Sequence, residues 1–434
     1  GRLTMGGDPP FIAASDMDAP EWNIEALGPT KRAYAGRLLR RLMPLWSSGS
    51  TYMTLFGKHY PGEQLPRWAL TCYWRLDGEP VWLDRSLLAS DDDTDNATEH
   101  DARRFAQSLA QKLQVDPELV APAYEDIHYY LWKEHRLPAN VVVENSRLND
   151  PLERDRLARV FDRGLGREAG SVLPLRVAVQ DGVRRWQSGR WFLRGDTIFL
   201  VPGDAPIGFR LPLQSLPWAD AEHIDQPFEL DPFAPHPRLP PHPVFARRTA
   251  TAYGAQVPDL VSRSGQPPER MMPQLSDLPA LPPYPVRKPW RISTEKALAE
   301  HLLEVDREEP DVVRTALAVE SRNGILHVFF PPLYAIEDWL DLCAAVEATA
   351  AEFGRKIVLE GYAPPRDPRL LSFSITPDPG VIEVNVHPSA SWKEHEVRSR
   401  QLYEEARAVG LTAEKFMLDG RHVGTGGGNH VVVG

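Results

Sequence analysis

Proline constrains this chain more than any other residue type. There are 42 among 434 residues, and they crowd between Asp225 and Pro289. Each fixes φ near −65° and lacks an amide N–H, so such a stretch supports neither a helix nor a central strand and favours extended polyproline II. Residues 225–290 are therefore expected to be a linker or wrapping arm. The regular structure must come from the segments on either side.

The segment before it, residues 1–172, carries an α+β pattern. A short apolar strand meets Gly6-Gly7 and Asp8, and an acidic cluster of Asp16, Asp18 and Glu21 follows. A helix opens at Gly28-Pro-Thr-Lys31 and runs to about Leu45. Lys31 and Arg32, beside the acidic loop, are candidate phosphate contacts. Strands are expected at Tyr52–Phe56, Leu65–Arg75 and Val81–Leu83. Asp91-Asp-Asp-Thr-Asp95 lacks the glycine and closing glutamate of a calcium loop, so it reads as a capping loop for a helix over Asn96–Leu113. His128 and His135 lack His-Glu-x-x-His spacing, which argues against a zinc protease. Asn149–Gly164 reads as a surface helix. Residues 173–224 change character. Short β runs at Leu173–Val179, Arg184–Gln187, Trp191–Leu193, Thr197–Val201 and Phe209–Leu211 are separated by Asp-Gly, Ser-Gly and Arg-Gly-Asp turns. That spacing predicts a β-meander.

Residues 291–434 form a second α+β lobe. It begins with a helix from Ser293 to about Val305. A hairpin follows, Val312–Glu320 with Ile325–Phe330 through Arg322-Asn-Gly, then a helix at Ile336–Phe353 and strands at Lys356–Leu359 and Ser372–Ile375. Arg366, Asp367 and Arg369 are candidate phosphate or carboxylate contacts. The closing stretch is the most informative. A turn at Thr376-Pro-Asp-Pro-Gly380 leads into a strand, Val381 to Val386. Alternation puts Val381, Glu383 and Asn385 on one face, and Ile382, Val384 and Val386 on the other. A helix over about Ser391–Val409 stops at Gly410. Then come Arg421, the run Gly424-Thr-Gly-Gly-Gly428, Asn429, His430 and a last strand. Glu, Asn and His on two neighbouring strands make an oxygen-and-imidazole donor set suited to Mg²⁺ or Mn²⁺ bound to phosphate. The glycine run is not a Walker A loop, because Asn-His follows it rather than Lys-Ser/Thr.

That stretch closely resembles an amidoligase domain of bacteria whose function is not established, often fused behind a transglutaminase-like domain. The family is grouped with carboxylate–amine ligases of the glutamine synthetase-like fold. The order Gly-x-x-Glu on a strand, a helix, Glu-Lys-Phe-Met, then Gly-x-Gly-Gly-x-His is similar to glutamine synthetase over this segment alone. The resemblance implies an α+β fold of mixed and antiparallel sheets with flanking helices, including an incomplete glutamine synthetase-like lobe. It also implies an ATP- and Mg²⁺-dependent ligase that joins a carboxylate to an amine. Glu383, His430 and Asp8 would hold metal, with Asn385 or Glu320 completing the set. Asp8 stands where the family usually has Glu. Asn385, Gly424, Gly426, Gly427 and Gly428 would border the nucleotide and acyl-phosphate pocket. Arg421 would contact the γ-phosphate or a substrate carboxylate, and Asn429 the tetrahedral intermediate. A catalytically silent scaffold and a metal-dependent amide hydrolase are the competing readings.

Composition bounds these readings. A net charge of −11 argues against nucleic-acid binding, which needs a basic face. No apolar run approaches a bilayer span, and with no signal-peptide pattern the expected compartment is the cytoplasm. Two cysteines, Cys72 and Cys343, exclude a disulfide framework and read as core residues. The first residues, Gly-Arg-Leu-Thr, lack an initiator Met, and Val-Val-Val-Gly ends within a strand-like run. The expectation is a segment of a longer protein whose site is completed downstream.

Overall fold

The computed structural model describes residues 5–57, 66–146, 148–180, 183–193, 197–220, 236–242, 308–309, 311–416, 419–425 and 431–433. The predicted helix at Ser293–Val305 and most of the proline-dense stretch lie outside them.

The fold is α+β, with six α-helices among the described residues and one large mixed sheet. The strands are β1 (Met5–Gly7), β2 (Pro10–Ala13), β3 (Thr51–Phe56), β4 (Trp68–Arg75), β5 (Ala121–Glu125), β6 (Glu168–Pro174), β7 (Arg176–Gln180), β8 (Val183–Gln187) and β9 (Ile198–Leu200). They continue as β10 (Ala316–Arg322), β11 (Ile325–Phe330), β12 (Ile357–Gly361), β13 (Leu370–Asp378), β14 (Val381–Ser389), β15 (Leu411–Thr412), β16 (Lys415–Phe416), β17 (His422–Val423) and β18 (Val431–Val433). The helices are α1 (Pro29–Trp46), α2 (Glu99–Lys112), α3 (Ile127–Glu134), α4 (Pro151–Arg163), α5 (Ile336–Phe353) and α6 (Trp392–Ala408). The 14-stranded sheet runs β15-β2-β14-β13-β4-β3-β12-β11-β10-β6-β5-β9, with β1 beside β14 and β18 beside β1. Strands from before and after the proline-dense stretch therefore alternate in one sheet.

Helices cover opposite faces of its two halves. Along β4, Leu70, Cys72 and Trp74 enter a core shared with Leu38 and Leu42 of α1 and Leu402 of α6. Tyr73, pointing the other way, enters a core built on Phe105 of α2 and Leu340 of α5. A third core, with Val172, Ile198, Ile207 and Phe329, packs on the β10–β6–β5 end. The second of these cores reaches β4 and the Leu370 end of β13, and among the described residues no helix packs on the same face of β14.

Local signals explain the elements. Thr98 and Asp101 form a capping box at the start of α2. Asp150 caps α4, which ends at Gly164 with φ 91°. Asn323 (φ 52°) and Gly324 (φ 77°) make the tight β10–β11 turn. The predicted meander is corrected. Its first run splits at Leu175 into β6, which joins the large sheet, and β7, which pairs with β8 alone. Trp191–Leu193 is not a strand, and Ile207–Arg210 is a 3-10 turn. Alternation marked strand-forming residues, but β6 finds its partners in β10 and β5, not in the β7 run that follows it.

Part of the proline-dense stretch, residues 236–242, is described and lies against the molecule. Arg75 donates to the carbonyls of Pro240 (2.6 Å) and Leu239 (3.2 Å), and Arg369 to that of Pro237 (2.8 Å). Leu239 is buried in the α2/α5 core.

Candidate active site on β14

β14 carries the site. Ile382 and Val384 are buried against α1 and α6, Glu383 is half-buried and Asn385 is exposed. Alternation therefore holds over this stretch. Val381, predicted to face with Glu383, is buried in the same core as Ile382, because it sits at the turn where the strand enters.

Register brings in the partners. Glu383 pairs with Pro10 of β2 on one side and Thr376 of β13 on the other. Asn385 pairs with Ser374, and its Nδ2 donates to Thr376 Oγ1 at 3.2 Å. Gly7 pairs with Val386 and Pro10 with Glu383 in one continuous register, which sets half-buried Asp8 opposite Asn385. Directly opposed residues share a face with Cβ atoms about 5 Å apart, and diagonal ones about 7–8 Å. Asp8, Glu383 and Asn385 thus lie together on the face of β14 against which no described helix packs. All are oxygen donors, with hydroxyls of Thr376 and Ser374 in the same rows, and such a set suits a hard divalent cation. Among the described residues no three His, Cys, Asp or Glu side chains converge as a metal set. His430, Asn429, Gly426, Gly427 and Gly428 lie outside the described residues. Val431, the residue after His430, pairs with Gly7, immediately before Asp8.

The remaining candidates are placed as follows. Arg421 is exposed on the β16–β17 hairpin, its Nε donating to Asp419 at 2.6 Å. Lys415 of that hairpin donates to Trp22 O (2.8 Å) and Asn23 Oδ1 (2.5 Å), and Asn23 abuts the β13–β14 turn at Gly380. Gly424 is exposed, and among the described residues a Cβ there would meet nothing within 4 Å.

Three other basic candidates are committed elsewhere. Lys31 is fully buried and gives its three N–H donors to the carbonyls of Glu25 (2.8 Å), Ala26 (3.1 Å) and Asp378 (2.7 Å). Burial lowers its pKa to about 8 against the pull of Glu21 and Asp378. Arg32 bonds Asp91 (3.1 Å) and Thr54 (2.7 Å). Arg369 forks onto Asp367 (2.9 and 2.6 Å). Both cysteines are buried, and burial pushes the Cys72 thiol up to about 11 and that of Cys343 well above its usual range. Neither has the lowered pKa of a nucleophile.

Glu320 does not join Glu383. It lies six strand steps away, and the registers through β13, β4, β3, β12 and β11 put it on the opposite face. There it belongs to a buried cluster that sequence reasoning missed. Arg322 bonds Glu360 and lies 2.6 Å from His327 Nδ1, while the Ile207 amide donates to Glu320 at 3.0 Å. Burial raises the Glu320 carboxyl above its usual range despite Arg322. Burial also resists ionisation of Glu360, but Arg322 and His327 outweigh it and hold that carboxyl low. The one sequence signal was polar residues alternating with apolar ones on β10 and β11.

An α+β protein with carboxylates gathered on one sheet face is the class that fold and site define. Within that class the chain belongs to the family described as "Putative amidoligase enzyme", which matches residues 1–434. No curated protein and no solved structure matches it. Among the described residues no helix is long and apolar enough to cross a membrane.

Proposed function

We propose that this chain forms amide bonds between a carboxylate and an amine at the expense of ATP, with Mg²⁺ at the Glu383 face of β14. The observation that carries this reading is the shared face of Asp8, Glu383 and Asn385, in a chain of the amidoligase family. Glu383 and Asp8 would hold the cation, joined by His430, with the Asn385 amide oxygen beside them. Mg²⁺ there would neutralise phosphate oxygens during phosphoryl transfer.

The chemistry is balanced in two steps. The substrate carboxylate attacks the γ-phosphorus of ATP and ADP leaves. The amine then attacks the acyl-phosphate carbon, loses a proton and expels phosphate. Arg421 would meet the γ-phosphate or the substrate carboxylate, which requires its guanidinium to leave Asp419 or to share it. The Asn429 amide and the backbone N–H groups of Gly424–Gly428 would serve the oxyanion. The substrate is proposed as a peptide or amino-acid-like carboxylate. The fused transglutaminase-like domain, a downstream continuation and a cytoplasmic location belong to the same proposal.

Titration calorimetry of the full chain with MgATP tests the reading. Wild type should bind, and Glu383→Gln and Asp8→Asn should each weaken binding by about 10- to 100-fold. MgATP binding that both variants retain at wild-type strength would exclude this face. No binding by wild type or by a form extended past Gly434 would favour the scaffold reading.

A further inference from the structure

The Glu383 face also carries a guanidinium that no sequence motif marks. Arg67 stands one residue before β4. The β3–β4 ladder continues through it, since the Gly57 amide donates to its carbonyl at 2.5 Å. Between β13 and β4, Ser374 pairs with Thr71 and Ile375 with Leu70. The same register carried on sets Asp378 opposite Arg67. Ile375 and Leu70 are buried in the core shared with α1 and α6. Alternation therefore turns Asp378 and Arg67 to the other face, and the ion pair from Arg67 Nη1 to Asp378 agrees with that placement.

Asp378 in turn pairs with Val381 of β14, and Thr376 with Glu383. Asp378 is thus the diagonal neighbour of Glu383, about 7–8 Å away. Arg67 lies two strand spacings from β14, about 9–10 Å. In order across the sheet, one face presents Asp8, then Glu383 and Asn385, then Thr376, and then the Arg67–Asp378 pair. The Arg67 side chain is 12% exposed and that of Asp378 37%, so neither is sealed from solvent. A cation held by Asp8 and Glu383 would bring phosphate to this face, and Arg67 supplies donors for its outer oxygens. A guanidinium has five N–H donors in a planar fork, so it can serve Asp378 and a phosphate oxygen together. Arg421 sits instead on the exposed β16–β17 hairpin with Asp419.

We propose that Arg67 holds the γ-phosphate of ATP while Asp378 tethers its guanidinium, which leaves Arg421 to the substrate carboxylate. The proposal rests on the ligase reading of the Glu383 face and adds to it the group that tells ATP from ADP.

Calorimetric titrations of the full chain with MgATP and MgADP test it. Wild type should bind MgATP at least about tenfold more tightly than MgADP. Arg67→Gln should remove about tenfold of that preference and bind MgADP as wild type does, the usual effect of one charge-assisted contact. Glu383→Gln should weaken both nucleotides. Asp378→Asn keeps an acceptor for the guanidinium and removes a competing negative charge, so it should bind MgATP at least as tightly as wild type. An ion pair that merely braced the strand ends would make the Asp378 and Arg67 variants weaken alike, which overturns the proposal. It also fails, by itself, if Arg67→Gln keeps the wild-type preference while Glu383→Gln still weakens binding. Wild type that binds neither nucleotide overturns the ligase reading and the proposal together. Should Arg67→Gln misfold, Arg67→Lys decides, because it keeps the ion pair but not the fork. An undiminished preference for MgATP in that variant overturns the proposal.

Discussion

His387 shows how a single side chain couples this fold to pH. Buried between tryptophans with Arg398 nearby, it takes up a proton only near pH 3, whereas in the unfolded chain it does so near 6.5. Between those values the unfolded state binds more protons, so stability falls as pH is lowered through this window. Lys393, Glu394 and Arg398 are the charged groups that line the cleft beside it. The difference in Tm between His387→Phe and wild type should therefore grow in favour of the variant from pH 6.5 to pH 4, as read by scanning calorimetry. Glu320 has the opposite sign. Its folded carboxyl is raised, so its contribution to stability declines as pH rises above the ordinary glutamate range. Glu320→Gln keeps an oxygen for the Ile207 amide and should gain on wild type as pH rises. Glu360→Gln removes the nearer of the two carboxylates that face Arg322, leaving Glu320 at 3.6 Å, and should cost about 3 kcal/mol in urea denaturation. At this scale the sequence misleads where donors are consumed out of view. Lys31 and Arg369 have the charge of phosphate contacts, and their bonds to backbone carbonyls and Asp367 emerge only from chain segments far away in sequence.

Elements were legible wherever their signals are local. The Arg322-Asn-Gly turn specified the β10–β11 hairpin, and the alternation through Ile382–Val386 specified the two faces of β14. The β14 bulge left no such mark, because it depends on Gly7 and Met5 pairing out of step with a strand far downstream. The meander failed for the same reason, since apolar alternation says that a strand forms but not what it pairs with. Gly324 offers a test of the legible part. Its φ is 77°, and a Cβ there would lie 2.0 Å from the Asp95 carbonyl oxygen in the loop before α2. Gly324→Ala should cost about 2 kcal/mol or more, seen as a lower urea midpoint with an unchanged slope. A midpoint equal to wild type would mean that the hairpin and this loop do not press on each other.

Across the whole molecule, the proline-dense stretch separates segments that do not pack as separate sheets. β13 lies between β4 and β14, β14 borders β1 and β2, β12 pairs with β3, and β10 pairs with β6. Every one of these ladders except β13–β14 joins residues before the stretch to residues after it. The site shares this dependence, because Asp8 comes from one side and Glu383 and Asn385 from the other. Arg75 and Arg369, also from opposite sides, hold residues 237–240 between them. Composition could locate the proline-dense stretch but could not show that the strands on either side interleave, since pairing across so many residues leaves no periodic trace. If the ladders hold the molecule together, residues 308–434 produced alone would expose the β10, β12 and β14 edges and lose half of the core under α1. Circular dichroism should then show no cooperative thermal transition, and the material should associate through its open edges. Residues 1–220 alone should behave in the same way. Produced together, the two pieces should co-purify and melt in one transition, with Asp8 again opposite Asn385 and MgATP binding restored. A sharp melt from 308–434 alone would instead establish a self-sufficient lobe, and Asp8 would then be an accessory to its site.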